Sequence, residues 1–333
     1  MSKYKKFWGI FFSLLFLWLA LRGIDFKAIP NAILAIDPFY FVLLLLSYTL
    51  EMITRTYRWL IIQPTEKLNF KYSFYGLLLT FFFNNILPAR AGELFKPFYF
   101  AKKGIADSGE TLGTVVLERF FDGVMLLTLI LISFQSFASS EMLKKAGIIT
   151  AIFYTIILLG ILLAIFKRGL FEKITEKVIG LFPVKLGNFI KKLVSKFIDG
   201  LSTIKDLKRL LKILISSVFC WASSVLTMWL CFKGFGFREN FIQASFLLTV
   251  LSISSMIPAS PGVIGVYEYF CIFTLTKVLG HAENESAAFA IFMHGVQYIY
   301  ILIFGIIILI SEGIKISEFN PSKEDTKALK TEN

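Results

Sequence analysis

The chain of 333 residues is 56% hydrophobic and only 17% charged, with a formal net charge of +12. Soluble domains carry about a quarter charged residues, so the composition excludes an ordinary soluble protein and indicates a membrane protein. The positive charge would suit a nucleic-acid partner, but its position between apolar runs argues against one. Cys220, Cys231 and Cys271 lie in apolar stretches without metal-ligand spacing, so no disulfide framework, metal site or cofactor is expected.

Apolar runs long enough to cross a bilayer, which takes about 17 to 25 residues, recur along the whole chain. We predict an all-α, polytopic membrane protein with about eight spans, of which the third and seventh are followed by short apolar pieces near 91–101 and 263–279. The first run, after the letters MSKYKK, lacks a small-residue cleavage site and is interpreted as a retained signal anchor. The predicted spans lie near residues 7–24, 38–62, 70–87, 111–135, 147–166, 212–232, 241–257 and 286–311.

The charges between the spans predict the sidedness of the protein. Residues 167–212 contain twelve basic and four acidic residues, a net charge of +8, which places this segment in the cytoplasm by the positive-inside rule. The N-terminal letters KYKK put the N-terminus on the same side. Residues 312–333 are polar enough to form a disordered cytoplasmic tail. The expected location is therefore the inner or plasma membrane, with both termini cytoplasmic.

The basic segment also has a helical pattern. Apolar residues recur at steps of three and four from Leu186 to Leu201, with lysines between them. This predicts an amphipathic helix in the headgroup region, where the lysines meet anionic lipid. A helix packed on the protein's own cytoplasmic face fits the pattern equally well, and the two interpretations are compatible.

An internal repeat relates the two halves of the chain at an offset of 170 residues. Residues 84–100, NNILPARAGELFKPFYF, align without gaps with residues 254–270, SSMIPASPGVIGVYEYF. Pro88 then matches Pro258, and Gly92 matches Gly262. Chance matching accounts for the shared phenylalanines, but it accounts much less well for two Pro-Ala-x-x-Gly motifs that each follow an apolar run.

We interpret each copy as a re-entrant hairpin made of two half-helices. Proline interrupts helix hydrogen bonding and glycine permits a tight reversal, and such irregular backbone survives at membrane depth only where protein or water covers it. The charge assignment has the first hairpin enter from the cytoplasm and the second from outside, which makes an inverted repeat. Repeat 1 covers about 38–135 and repeat 2 about 212–311. The alternative is that both short pieces cross the membrane completely.

Two groups of charges within predicted spans need compensation, since a charge at the centre of a membrane helix costs on the order of 2.5–3.5 kcal/mol. Glu118 and Asp122 share a helix face, and Arg119 reaches Asp122 across three residues. This cluster fits either a substrate site or an ion pair that holds helices together. Glu51, Arg55 and Arg58 form a second stripe, in which Glu51 needs a partner and Arg58 is free to snorkel to the cytoplasmic surface.

Arg90 and Glu93 lie at the reversal of the first hairpin, where a short helix is expected to begin. A helix N-terminus attracts anions, and the guanidinium of Arg90 adds a planar fork that suits phosphate. Glu93 in the first turn would also favour the helix itself. The second hairpin has Ser260 in place of Arg90. Glu268 lies on the short helix of that hairpin, and the last span contributes His294 and Gln297, which we expect to face inward, the histidine as a packing residue.

Three stretches together, LPARAGELFKPF, TVVLERFFDG and PASPGVIGVYE, resemble the motifs of the lysylphosphatidylglycerol synthase transmembrane family, also called flippase-like membrane proteins. The resemblance extends to about residue 311 and implies a multi-span protein linked to lipid movement between leaflets. In the family, the motif of the second hairpin usually reads Pro-Gly-Gly, and this chain has Val263 in place of the second glycine. Because residues 312–333 form only a short polar tail, the soluble aminoacyl-transferase domain of bifunctional members is not expected. The resemblance assigns motif positions to Pro88, Arg90, Gly92, Glu93, Glu118, Arg119, Asp122, Pro258, Pro261, Gly262, Gly265 and Glu268.

The favoured function is a lipid translocase that moves an anionic phospholipid or a polyprenyl-phosphate lipid through a cationic cavity near the midplane. The chain has no P-loop motif, so ATP hydrolysis is not expected to drive it. Two other classes stay open. One is an intramembrane lipid-modifying transferase that uses the cluster of Glu118, Arg119 and Asp122. The other is a non-catalytic scaffold that recruits partners through the basic segment 167–212.

Overall fold

The computed structural model describes residues 14–63, 65–134, 167–180, 207–257 and 260–314, with a few single residues between 152 and 191. These ranges are helical or irregular and contain no β-strand, which confirms the all-α prediction for the described part of the chain. The helices are α1 (14–21), α2 (Ala28–Leu34), α3 (Pro38–Ile62), α4 (Phe70–Ile86), α5 (Phe95–Lys102), α6 (Ser108–Phe134), α7 (Arg168–Ile179), α8 (Leu207–Gly234), α9 (Phe241–Ser254), α10 (Val266–Phe273) and α11 (Glu283–Glu312).

Three of these helices, α3, α8 and α11, are long and apolar enough to cross a membrane. They coincide with the spans predicted at 38–62, 212–232 and 286–311. Helix α6 has 27 residues but carries a group of charged side chains, and α4 and α9 are shorter, with 17 and 14 residues. Most of the predicted span at 147–166 and the start of the one at 7–24 lie outside the described residues.

The basic segment is described only in part. It contains α7, a 12-residue amphipathic helix that the sequence reasoning did not predict. The amphipathic helix predicted between Leu186 and Leu201 lies outside the described residues apart from two single positions, as do residues 315–333 of the tail.

Polar side chains just before α3, α4 and α9 fix the points at which these helices begin. Asp37 accepts a hydrogen bond from the backbone N–H of Phe39, with Pro38 as the first helical residue of α3. Asn69 caps α4 in the same way, and Asn240 forms a capping box with Gln243 at α9. These caps satisfy N–H groups that have no partner within the helix.

Helices α3 and α8 pack together along their length and run antiparallel. Near one end, Arg209 Nη2 donates to the backbone oxygen of Ile61 at 2.8 Å. Further along, the hydroxyls of Ser47 and Thr227 are 2.9 Å apart and buried. Hydroxyl contacts of this kind and small side chains let membrane helices approach closely. The first helix of each proposed repeat therefore packs against the other.

Two pairs of helices, α4 with α5 and α9 with α10, are each interrupted by a short turn, and we call them the two broken helical units. Contacts at the helix ends show where each unit begins and returns. Lys71, at the start of α4, and Lys103, just after α5, both contact the carboxylate of Glu312, at 3.6 and 2.5 Å. Glu239, just before α9, contacts His281, which follows the π-helical turn Thr274–Val278 after α10, at 2.6 Å. Glu312 closes α11 and His281 precedes its first residue. The α4–α5 unit thus begins and returns at one end of α11, and the α9–α10 unit at the other.

Helix α11 contributes to both large apolar cores. Its first half, from Ala287 to Met293, packs with α8, α9 and α10, and its second half, from Ile301 to Leu309, packs with α3, α4 and α5. Gly305 allows this second contact, because a Cβ there would collide with the ring of Phe82. The two broken units therefore lie against one shared helix, which brings their inner ends together.

Candidate anion-binding cavity

The first unit breaks at a 3-10 turn, Pro88–Leu94, between α4 and α5. Arg90 has φ +52°, the left-handed region that non-glycine residues rarely adopt. Gly92 packs directly on α4, and a Cβ there would overlap the backbone oxygen of Thr80 and the amide of Asn84. The sequence suggested that Glu93 lies in the first turn of the short helix. Helix α5 begins only at Phe95, so Glu93 lies in the 3-10 turn instead.

The second unit breaks at Pro261–Val263, between α9 and α10; Pro258 lies outside the described residues. Gly262 and Gly265 have positive φ values of +68° and +91°, and a Cβ on Gly262 would meet the ring of Tyr298. Val263 also has a positive φ, +59°, at the position where the resembling family has glycine. A β-branched residue in this region stores about 1–3 kcal/mol of strain, so the surrounding packing has to hold the turn in this conformation.

The two turns adjoin each other. Arg90 Nη2 donates a hydrogen bond of 2.7 Å to Ser255 Oγ at the end of α9. The hydroxyl of Tyr298 on α11 donates a hydrogen bond of 3.0 Å to the backbone oxygen of Asn85. Side chains from both halves of the chain therefore bridge the breaks in the helices.

A buried ion network lies beside the first turn. Arg58 contacts Asp122 at 2.6 Å and Glu118 at 3.0 Å, and its side chain is fully buried. The idea that Arg58 snorkels to the surface was therefore wrong. Lys96 contacts the other oxygen of Glu118 at 2.8 Å and lies over the ring of Trp59 at 3.8 Å. Opposite charges and an aromatic face compensate these charges inside the protein.

Arg119 connects this network to the first turn. It lies 3.3 Å from Asp122, 3.4 Å from Glu118 and 3.9 Å from Glu93, and about a third of its side chain remains accessible. Its contact with Asp122 confirms the pairing expected from the three-residue spacing. Glu51, which needed a partner, contacts Arg55 at 2.9 Å.

These charges border a cavity of about 410 Å³, within the range of about 300–1,000 Å³ typical of ligand pockets. Its charged lining consists of Glu51, Arg55, Arg90, Glu93, Arg119 and Asp122. Its uncharged polar lining includes Asn84, Asn85, Ser224, Ser252, Ser255, Tyr267, Gln297 and Tyr298, together with His294. All of the charged members come from the first half of the chain, so one wall is ionic and the other is mainly hydroxyl, amide and aromatic.

Glu268 and His294 form the ionisable part of the second wall. One oxygen of Glu268 accepts the N–H of Gly265 at 2.6 Å and the other contacts His294 Nδ1 at 2.6 Å. The His294 ring stacks on Tyr267 with ring centroids 4.3 Å apart. Glu268 itself does not line the cavity, whereas His294 and Tyr267 do.

Within the described residues, the first-half cluster has one positive charge in excess, because five basic side chains face four carboxylates. The basic groups are Arg55, Arg58, Arg90, Lys96 and Arg119, and the acidic ones are Glu51, Glu93, Glu118 and Asp122. Four polar atoms of the lining are buried without a hydrogen-bond partner: Arg119 Nε, Glu93 Oε2, Asn84 Oδ1 and Tyr267 Oη. Buried polar atoms without partners are costly, so the cavity suits a polar occupant.

The structure brings together four of the six predicted binding residues at the cavity, namely Arg90, Glu93, Arg119 and Asp122. Glu118 lies behind them as the buried partner of three cations, Arg58, Lys96 and Arg119, and Glu268 lies behind His294. Sequence reasoning missed Lys96 and Tyr267, although they lie inside the LPARAGELFKPF and PASPGVIGVYE motifs. No cluster of metal-ligating side chains occurs in the described ranges.

Long apolar helices, broken helical units and a charged internal cavity define a helical membrane protein. The chain belongs to the lysylphosphatidylglycerol synthase transmembrane family, whose model, described as the lysylphosphatidylglycerol synthase TM region, matches residues 6–305. It is similar to two proteins of Methanocaldococcus jannaschii. The UPF0104 membrane protein MJ1078 is 28% identical over 232 residues, covering 68% of this chain and 92% of the relative. The UPF0104 membrane protein MJ1595 is 24% identical over 313 residues, covering 90% and 92%. No solved structure matches the chain.

Proposed function

We propose that the protein is a membrane lipid translocase, which moves an anionic phospholipid or a polyprenyl-phosphate lipid between leaflets. The observation that carries this proposal is the position of Arg90 and Arg119 on a polar cavity between two breaks in apolar helices. Guanidinium groups bind phosphate strongly through paired N–H donors, and a cavity inside the bundle would hold the headgroup while the tails stay in lipid.

In this proposal both broken units are re-entrant hairpins. Helix α5 has eight residues, about 12 Å at 1.5 Å per residue, and cannot cross a hydrocarbon layer of about 30 Å. The contacts of Lys71 and Lys103 with Glu312, and of Glu239 with His281, are those expected if the units enter from opposite faces. Repeats at about 38–135 and 212–311 would then be inverted, and their relative rocking would open the cavity to one leaflet at a time.

The proposed orientation puts the basic segment 167–212 and both termini in the cytoplasm. Helix α7, with Lys173 and Lys177 among exposed apolar side chains, suits a surface that carries anionic lipid. Such a surface would raise the local concentration of the proposed substrate beside the entrance.

The charged residues have different roles in this scheme. Arg90 and Arg119 bind the phosphate, while Asp122 orients Arg119 and anchors Arg58. Glu118 positions the network from behind by holding Arg58 and Lys96. Glu93 borders the same space and limits how many anionic charges can enter.

The test is exchange of an acyl-labelled phosphatidylglycerol between the leaflets of reconstituted vesicles. Arg90→Gln and Arg119→Gln are each expected to lower the exchange rate at least tenfold, since each removes a fixed cation from the cavity. Arg22→Gln is the matched control, because Arg22 is exposed outside the cavity, and it is expected to exchange lipid at the rate of the unmodified protein. Unchanged rates in both cavity variants would contradict the proposal.

A second candidate is a lipid-modifying transferase. It is favoured by Glu93, a carboxylate that lines the cavity beside Arg119 and would serve there as a general base. Incubating the purified protein with phosphatidylglycerol and activated donors separates the two functions. A new lipid mass that disappears in Glu93→Gln would favour the transferase, whereas exchange without new masses favours transport.

A further inference from the structure

The sequence has two histidines, and each lies 2.6 Å from a glutamate. The pair of His281 and Glu239 joins the chain ends of the second broken unit. The pair of His294 and Glu268 lies in the cavity wall instead. Histidine is the side chain whose ordinary pKa, about 6.5, allows it to change charge near neutral pH. The same chemical pair therefore occurs in two very different places.

His294 is placed to exchange a proton with the cavity. Its Nδ1 is hydrogen-bonded to Glu268, which fixes the orientation of the ring, and 13% of its side-chain surface is exposed. No hydrogen bond to Nε2 occurs among the described residues, so this nitrogen is available to water or to a headgroup. A carboxylate on one nitrogen is the arrangement that stabilises an imidazolium when the other nitrogen is protonated.

The charged and titratable groups around His294 come from α3, the first turn, α6, α10 and α11. On its own wall these are Glu268, Tyr267 and Tyr298. Across the cavity they are Tyr48, Glu51 and Arg55 from α3, Arg90 and Glu93 from the first turn, and Arg119 and Asp122 from α6. These facing charges are balanced, with three basic groups against three acidic ones, and the positive charge in excess comes from Arg58 and Lys96, which share Glu118 behind the cavity wall.

We propose that protonation of the His294–Glu268 pair is coupled to anion binding, and that the protein moves one proton with each singly anionic lipid. This inference rests on the proposed function. A bound phosphate adds negative charge to the cavity that His294 lines, so it favours the protonated histidine. By linkage, the protonated histidine favours the anion by the same factor. The site that holds both the proton and the singly charged anion has the same net charge as the empty site, so the unmodified protein changes access most readily in these two forms.

The same carboxylate ties protonation to the second break in the helices. Glu268 accepts the N–H of Gly265, the residue with φ +91° that precedes α10, while its other oxygen holds His294 on α11. A change in charge on His294 therefore acts on a carboxylate that caps the short helix of the broken unit. Glu268 thereby connects protonation in the cavity to α10, the short helix of the second broken unit.

The test imposes a difference of one pH unit across reconstituted vesicles, with the membrane potential clamped by potassium and valinomycin. Acyl-labelled phosphatidylglycerol is the probe, and its distribution between leaflets is measured at steady state. One proton per lipid corresponds to about a tenfold enrichment in the leaflet on the alkaline side, since one pH unit is a factor of ten. If lipid exchanges faster than in protein-free vesicles but is equally distributed between the leaflets, the coupling is overturned and the proposed function stands. Absence of exchange would overturn both.

His281→Gln is the matched control, because it removes the histidine of the other pair, and it is expected to keep the tenfold enrichment. His294→Gln is expected to retain exchange but to give equal leaflets. Glu268→Gln, which keeps an oxygen for the Gly265 N–H, is the second variant and is expected to give the same loss. Wild-type enrichment in both cavity variants would overturn the assignment. Loss of all exchange in both cavity variants would also overturn it, because it would show that the pair is needed for the folded protein.

Discussion

Arg90 and Ser255 are 165 residues apart in the sequence, and a hydrogen bond of 2.7 Å joins their side chains where the two broken units meet. The donor belongs to the turn after α4 and the acceptor to the end of α9. The link therefore connects the two halves of the chain beside the cavity. It also fixes the direction in which the Arg90 guanidinium points.

Ser255→Ala is expected to loosen this link. A hydrogen bond to a charged group contributes about 1.5–3 kcal/mol, so we expect the variant to lose about 1–2 kcal/mol of stability while water takes over part of the contact. Thermal unfolding in detergent measures the effect. Ser216→Ala is the control, since Ser216 bonds only within its own helix among the described residues. An equal melting temperature for Ser255→Ala and the unmodified protein would show that the link carries no stability.

Glu118→Gln is expected to be much more severe. It leaves Arg58 and Lys96 without the carboxylate that they share, and breaking a buried ion pair costs about 3–5 kcal/mol. Adding Lys96→Met removes one of the stranded charges and is expected to recover part of the loss. Unfolding of the two single variants and the double variant forms a double-mutant cycle. Additive losses would mean that Lys96 and Glu118 do not interact.

The sequence predicted the breaks in the helices better than it predicted the ion network. The Pro-Ala-x-x-Gly motifs are local signals, and the turns at 88–94 and 261–263 lie where those motifs predicted reversals. The partner of a buried charge depends on which helices pack together, and spacing along one helix does not contain that information. Arg58 therefore looked like a snorkelling residue, although it lies between Glu118 and Asp122 of another helix. Lys96 was missed for the same reason, because its partner lies 22 residues away on α6.

Gly92→Ala is expected to destabilise the first turn, because the added Cβ would overlap the backbone of α4 at Thr80 and Asn84. We expect a loss of at least about 2 kcal/mol, since overpacking against backbone cannot be relieved by a side-chain rotation. Gly123→Ala is the matched control: Gly123 lines the same cavity from α6, and no atom lies within 4 Å of its added Cβ. Equal unfolding temperatures for the two variants would contradict the close packing of the first turn.

Val263→Gly is expected to stabilise the protein slightly or leave its stability unchanged. The φ of +59° strains valine by about 1–3 kcal/mol, whereas glycine adopts it freely at a cost in unfolded-state entropy of about 1 kcal/mol. Gly262→Ala is expected to destabilise the protein, because the added Cβ would collide with the ring of Tyr298 and alanine is strained at the positive φ. A clear loss of stability in Val263→Gly would show that the turn does not have this backbone in solution.

The most direct test of the central claim is the sidedness of single cysteines at the four ends of the broken units. In a chain whose native cysteines are replaced by serine or alanine, Lys67→Cys and Lys102→Cys flank the first unit, and Arg238→Cys and Lys277→Cys flank the second. All four native side chains are exposed. A membrane-impermeant maleimide is predicted to label the first two from one face of the membrane and the last two from the other. Labelling of Lys67→Cys and Lys102→Cys from opposite faces would mean that the first unit crosses the membrane completely, and the enclosed anion site would not exist.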